Sequence, residues 1–178
     1  MLTIVQVPDK VLTSPTRPVT EITKEIRELV FDMEETLIAQ TDPQGVGLAA
    51  TQVGVALSLF IMKPAPDAET EVCINPKILK TEEEPEAKPA KKGKQNHKLE
   101  GCLSIPRIWG PVRRAKRVHM EYQDLTGQKH VRWFTGFRAV IVQHECDHLK
   151  GVLFTQRALE NKLQLYEEKD GELEPLKY

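Results

Sequence analysis

The sequence is poor in cysteine, in aromatic side chains and in long apolar runs, and each shortage excludes something. Its three cysteines, Cys73, Cys102 and Cys146, are an odd and sparse set. That argues against a disulfide framework and for reduced thiols in the cytosol, available as ligands or nucleophiles. No apolar stretch approaches the ~18 residues needed to span a bilayer. Met1–Lys10 lacks a basic segment followed by an apolar one, so no signal peptide is expected there. An excess of one charge is also missing: 25 Lys and Arg against 26 Asp and Glu leave a formal charge of −1. Bulk electrostatics therefore give no reason to expect a membrane or a specific nucleic acid as partner. What remains is 178 residues, 40% apolar and 29% charged, an ordinary composition for one globular domain spanning residues 1–178.

The apolar pattern changes period along the chain. From Ile22 to Ala39, Ile22, Ile26, Leu29, Val30, Met33, Leu37 and Ile38 recur at helical spacing, which predicts a packing helix with Thr20 or Thr23 as its cap. Leu57–Met62 reads as a buried strand, and Val72-Cys73-Ile74 as another that Asn75-Pro76 ends; packing is the expected role of Cys73. Residues 81–98 are rich in Glu, Lys, Ala and Pro and read as a charged, solvated loop. Val118, Met120 and Tyr122 alternate with polar residues, Asp124–Gly127 makes a turn, and His130–Phe134 is the return strand. His119 and His130 fall on the polar side or at strand ends and are not taken as ligands. Phe137–Leu149 predicts a helix apolar nearly all round, stopped by Gly151. After Arg157 a short helix and a charged end are expected. The fold class is α+β: antiparallel strands packed around a central buried helix, with an N-terminal packing helix.

That central helix carries His144-Glu145-Cys146-Asp147-His148. Residues four apart lie one turn apart on the same face, so two imidazoles can reach one metal ion, with Glu145 beside them to exchange protons with an activated water. Unpaired polar groups on an apolar helix are costly, which favours a functional reading. A tetrahedral catalytic site wants a third protein ligand. Phe154 stands where a third His of a longer metalloprotease pattern would be. A downstream acid, Glu167 or Glu168, and Cys102 are the remaining options. Cys146, two residues from His144, points to another face.

Three segments in order carry a resemblance. They are Gly45-Val46-Gly47-Leu48-Ala49-Ala50-Thr51-Gln52, then Glu100-Gly101-Cys102-Leu103-Ser104, then His144-Glu145-Cys146-Asp147-His148. In these the chain resembles the peptide deformylases, whose patterns are Gly-x-Gly-hydrophobic-Ala-Ala-x-Gln, Glu-Gly-Cys-hydrophobic-Ser and His-Glu-x-x-His. The likeness extends from the N-terminal helix to Phe154. It implies a hydrolase that removes the N-formyl group from the starting methionine of newly synthesised proteins, releasing formate. It also implies that Cys102, His144 and His148 hold one Fe(II), with Zn(II), Ni(II) or Co(II) as substitutes. Ligand chemistry alone would suit zinc equally. By the same resemblance Glu145 moves the proton, while the Gln52 amide and the Leu103 backbone N–H stabilise the formyl oxygen.

The substrate side can be read further. Gly45 and Gly47, lacking Cβ, would let a peptide lie as an added strand along Gly45-Val46-Gly47. Phe137, Val140 and Ile141 would form an apolar wall for the methionine side chain. Glu100 and Gly101 would border the substrate, with Glu100 paired to an arginine such as Arg114 to hold the Cys102 loop. Trp109 stands where some members carry a substrate-facing basic residue, and the partly acidic C-terminus differs from the basic ribosome-contacting helix of some relatives. The expected partners are N-formylmethionyl nascent chains, with transient contact at the ribosome. The expected state is a cytoplasmic monomer. Two rivals differ in class: a zinc peptidase using Glu167 or Glu168, and a non-catalytic binder of formylated ends. An intact Glu145 and Gln52 speak against the second, since a binder needs neither a proton carrier nor an oxyanion donor.

Overall fold

Leu59–Met62 is buried at every position, and that requires cover on both faces of its sheet. The computed structural model describes residues 1–83 and 99–177 and supplies this cover with helices. Helix α1 (Lys24–Ile38) is followed by strands β1 (Gly47–Ala49), β2 (Leu59–Met62) and β3 (Glu71–Glu82). Next come β4 (Leu99–Cys102), β5 (Ile105–Pro111), β6 (Arg117–Gln123) and β7 (Lys129–Thr135). Helices α2 (Gly136–Leu149) and α3 (Phe154–Glu160) precede a last pair, β8 (Tyr166–Lys169) and β9 (Glu172–Pro175). One antiparallel sheet has the order β1-β2-β3-β6-β7, and a second has the order β4-β5-β8-β9.

Side-chain alternation divides the core. Phe60 and Met62 join Cys73, Val118, Met120, Phe134 and the α2 residues Ala139, Ile141, Val142, Cys146 and Leu149. Leu59 and Ile61 point the other way, into a cluster with Ile74, Leu48 and the α1 residues Val30, Met33 and Leu37. Helices α1 and α2 thus cover opposite faces of the first sheet. The second sheet has its own cluster, in which Cys102, Ile105 and Leu165 meet Leu153, Phe154 and Ala158. Cys73 is fully buried in the first cluster, the packing role expected of it. Among the described residues no helix is long and apolar enough to cross a membrane.

Five local readings are corrected. Asn75-Pro76 does not end a strand: β3 continues through it with a shift of register between Ile74 and Lys77, because a bulge absorbs the missing proline donor. Thr81 and Glu82 pair with Val118 and Arg117, so they are strand and not loop; residues 84–98 of the expected loop lie outside the described residues. Thr23 stands at the N-cap of α1 but its side chain makes no capping bond. The expected charged tail folds into the β8–β9 hairpin. Its turn is Asp170-Gly171, with φ of 51° and 81°, the doubly left-handed geometry that Asp-Gly favours. The last short helix begins at Phe154, ahead of Arg157.

Asn75 ties the N-terminal segment to the bulge. Its Oδ1 accepts from Val19 N at 2.8 Å and its Nδ2 donates to Val19 O at 2.7 Å, with φ at 49°. Asn75→Ala removes both bonds at a left-handed residue. It is expected to lower stability by about 3 kcal/mol, read as a reduced urea midpoint with unchanged slope.

Candidate metal centre

The hairpin β4–β5 brings a thiol to helix α2. Its strands are joined at Leu103-Ser104, and a register shift between Gly101 and Cys102 sets Cys102 opposite Ile105. The Cys102 Sγ then lies 3.2 Å from His148 Nε2. His144 and His148, one turn apart on α2, have ring centroids 5.0 Å apart, edge to face. One donor atom from each of Cys102, His144 and His148 falls within 4.8 Å of the others. A tetrahedral ion with sulfur at ~2.3 Å and nitrogen at ~2.0 Å separates those donors by about 3.5 Å. The cluster therefore fits a single transition-metal ion.

Electrostatics favour a cation at the same point. Burial pushes the Cys102 thiol up, but the charge of His148 and hydrogen bonds with both imidazoles outweigh it and bring the thiol to about 5. Burial pulls His144 down, yet its bonds to Cys102 and Glu100 hold it well above its ordinary value. A positive charge is thus favoured between the thiolate and the imidazoles, a condition that a metal cation in place of the proton would also meet. Burial raises Glu145 to about 6, against the opposing pull of His144 and His148. The residue is 3% exposed, and its Oε2 has no hydrogen-bond partner among the described residues.

Gln52 enters from the 3₁₀ turn Ala50–Val53. Its Oε1 accepts from Ala49 N at 2.9 Å. A backbone N–H can only donate, so the amide is oriented by that contact. Nε2 is thereby aimed at Cys102 Sγ, 3.4 Å away, and at Ser104 Oγ, 3.3 Å away. The Glu100–Arg114 pair is present and bidentate, with both bonds at 2.9 Å, and Glu100 Oε2 lies 3.0 Å from His144 Nδ1.

The other candidate ligands are engaged elsewhere. Glu168 accepts the Trp109 indole N–H at 2.7 Å, and Glu167 pairs with Lys169 at 2.9 Å. His119 stacks on Trp133, and His130 is bonded to Asp124. Among the described residues, Cys102, His144 and His148 form the one cluster of three such side chains suited to an ion.

A family model described as polypeptide deformylase matches residues 1–164. The chain belongs to the polypeptide deformylase family. A peptide deformylase of Neisseria gonorrhoeae is 39% identical over 158 residues, covering 88% of this chain and 86% of that protein. The crystal structure of a Legionella pneumophila peptide deformylase superposes with a TM-score of 0.76 at 33% identity, covering 88% and 85% of the two chains. A Met-Ala-Ser-bound peptide deformylase of Acinetobacter baumannii gives 0.73 at 32% identity, covering 88% and 98%. The enzyme is accordingly a metal-dependent hydrolase that removes the N-formyl group from the N-terminal methionine of new polypeptides.

The deformylase glycines have a physical reason within the fold itself. A Cβ at Gly45 would lie 2.7 Å from both Leu37 Cδ1 and the Leu37 carbonyl, and a Cβ at Gly47 would lie 2.9 Å from Glu145 Cδ and from Ile141 Cγ2. Both glycines make room for the protein's own α1 and α2. Among the described residues strand β1 pairs only with β2, so its second edge has no partner strand. Of the expected wall, Ile141 is buried beside Gly47, Val140 is half-buried and Phe137 is 50% exposed. A cavity of about 150 Å³ beside Cys102 is lined by Gln40, Asp42, Gly101, Leu103, Arg107 and Trp109.

Sequence reasoning missed Asp147 and Arg157. Asp147 sits between the histidines of the motif, 6% exposed, and is bonded to Arg114 and Arg157. A buried acid on an apolar helix was itself a signal that a cationic partner exists.

Gly47→Ala is expected to displace the Glu145 carboxylate while leaving the ligands in place. Turnover should fall by about 10²-fold or more with metal content unchanged, checked by formate release alongside metal analysis.

Proposed function

We propose that Cys102, His144 and His148 hold one Fe(II) per chain and that Glu145, Gln52 and the Leu103 backbone N–H carry out deformylation around it. The convergence of a thiol and two imidazoles within 4.8 Å, with the Gln52 amide aimed at the thiol, is the observation that supports this reading. When bound, the ion supplies Lewis acidity and a water nucleophile active at neutral pH. Glu145, buried with one oxygen unpartnered, takes the proton of the attacking water and delivers it to the leaving amine. Gln52 Nε2 and Leu103 N–H donate to the formyl oxygen as charge builds on it. Glu100 holds His144 through Nδ1, which fixes the ring for ligation through its other nitrogen.

The substrate peptide extends along the open edge of Gly45-Val46-Gly47, bordered by Glu100 and Gly101. Ile141 and Val140, with Phe137 at the mouth, receive the methionine side chain. In this reading α2 is the central helix of the domain, with the strands arranged around it. Residues 1–178 act as one catalytic domain, since β8 is hydrogen-bonded to β5. The same reading includes a cytoplasmic monomer that meets nascent chains by transient contact at the ribosome. Zn(II), Ni(II) or Co(II) would be accepted by the same donors.

Protein purified without oxygen should release formate from formyl-Met-Ala-Ser. Glu145→Ala should lower kcat by about 10²–10⁴-fold with the ion retained, and Gln52→Leu by about 10²–10³-fold. A fully metallated wild type that releases no formate would point to a binder or a peptidase instead.

Cys102→Ala separates the ligand sets by metal analysis. The variant should lose the ion, whereas a centre completed by Glu167 or Glu168 would keep it.

A further inference from the structure

A relay of five side chains begins on α3 and ends on a metal-ligating imidazole. Arg157 donates to Asp147 through Nε at 3.2 Å and Nη2 at 2.8 Å. Asp147 Oδ2 also accepts from Arg114 Nη1 at 2.5 Å. Arg114 Nε and Nη2 hold the two oxygens of Glu100 at 2.9 Å each, and Glu100 Oε2 faces His144 Nδ1 at 3.0 Å. The side chains of Asp147, Arg114 and Glu100 are 9%, 8% and 9% exposed, and that of Arg157 is 37% exposed. Cations and carboxylates alternate along the relay, so each buried charge is flanked by the opposite sign.

The sharing of atoms gives the relay its direction. Asp147 Oδ2 serves both arginines, and Glu100 Oε2 serves both Arg114 and His144. Without Arg157, the Asp147 charge falls on Arg114 alone. The guanidinium fork is planar and rigid, so a pull toward Asp147 tilts it off Glu100. The Glu100 carboxylate then turns, and the imidazole turns with it. We infer that Arg157 is a positioning residue for the His144 imidazole, acting across the α3–α2 interface through Asp147, Arg114 and Glu100. This rests on the ligand set proposed above. A merely structural role, tying α3 to α2, is the alternative. Helix α3 is anchored independently by Phe154 and Ala158, 2% and 0% exposed, so replacing Arg157 leaves it docked.

The test is release of zinc from the loaded full-length protein into excess chromogenic chelator. Arg157→Met should release zinc about 5–20-fold faster than wild type, toward the lower end of the effect of losing a direct partner of a ligand. Arg157→Lys, which keeps the charge without the fork, should fall between. In a Glu100→Gln background, Arg157→Met should add less than about twofold, because the path to His144 is already cut. Asp147→Asn is the second probe and should also speed release. Release from Arg157→Met at the wild-type rate, or an equal acceleration in the Glu100→Gln background, would overturn the inference while leaving the ligand set intact. A wild type that holds no zinc would overturn the ligand set and this inference together.

Discussion

Arg114 joins the hairpin that carries the thiol to the helix that carries the imidazoles. It grips Glu100 on β4 with two bonds and Asp147 on α2 with a third. The donors come from segments 46 residues apart, and apolar packing alone would not fix their separation to tenths of an ångström. A planar fork with five donors at set angles does so. Such a buried ion pair adds little net stability, since desolvation offsets attraction. Its contribution is to geometry: removing either partner leaves an uncompensated charge, at a cost of about 3–5 kcal/mol, so alternative dockings of the hairpin are disfavoured.

The electrical character of the centre comes from the neighbouring imidazoles. Cys102 is nearly wholly buried, which opposes ionisation, yet the imidazoles bring it to about 5. Cys146 is buried on the same helix without such neighbours, and burial pushes it up to about 12. Two cysteines in one fold therefore differ because of their neighbours and not their burial. That difference separates a candidate ligand from a packing residue.

What was legible in the sequence is what has a local period or a fixed short spacing. The helix Lys24–Ile38, the β6–β7 hairpin and the pair His144 and His148 all follow from such local patterns. The placing of Cys102 against His148 was carried by resemblance and not by periodicity, because a register shift at Gly101–Cys102 leaves no mark on the apolar pattern. Asn75-Pro76 misled because proline usually ends a strand, whereas here a bulge accommodates it. The Asp170-Gly171 turn was readable but lay in a charged segment whose strands face mostly outward. Asp147 occupies a variable position of its motif, so nothing about the motif draws notice to it, and Arg157 is found only by following Asp147's bonds.

Strand β1 is three residues long with one edge unpaired. An exposed sheet edge is ordinarily an aggregation hazard, since any extended chain can add to it, and proteins blunt such edges with charge, proline or covering segments. Here the edge is blunted by its length and by the burial of all three residues. Three residues at ~3.3 Å each leave about 10 Å of ladder without a partner strand, a short template for pairing with another chain. The fold thus leaves one strand edge unpaired while offering a second chain very little ladder to join.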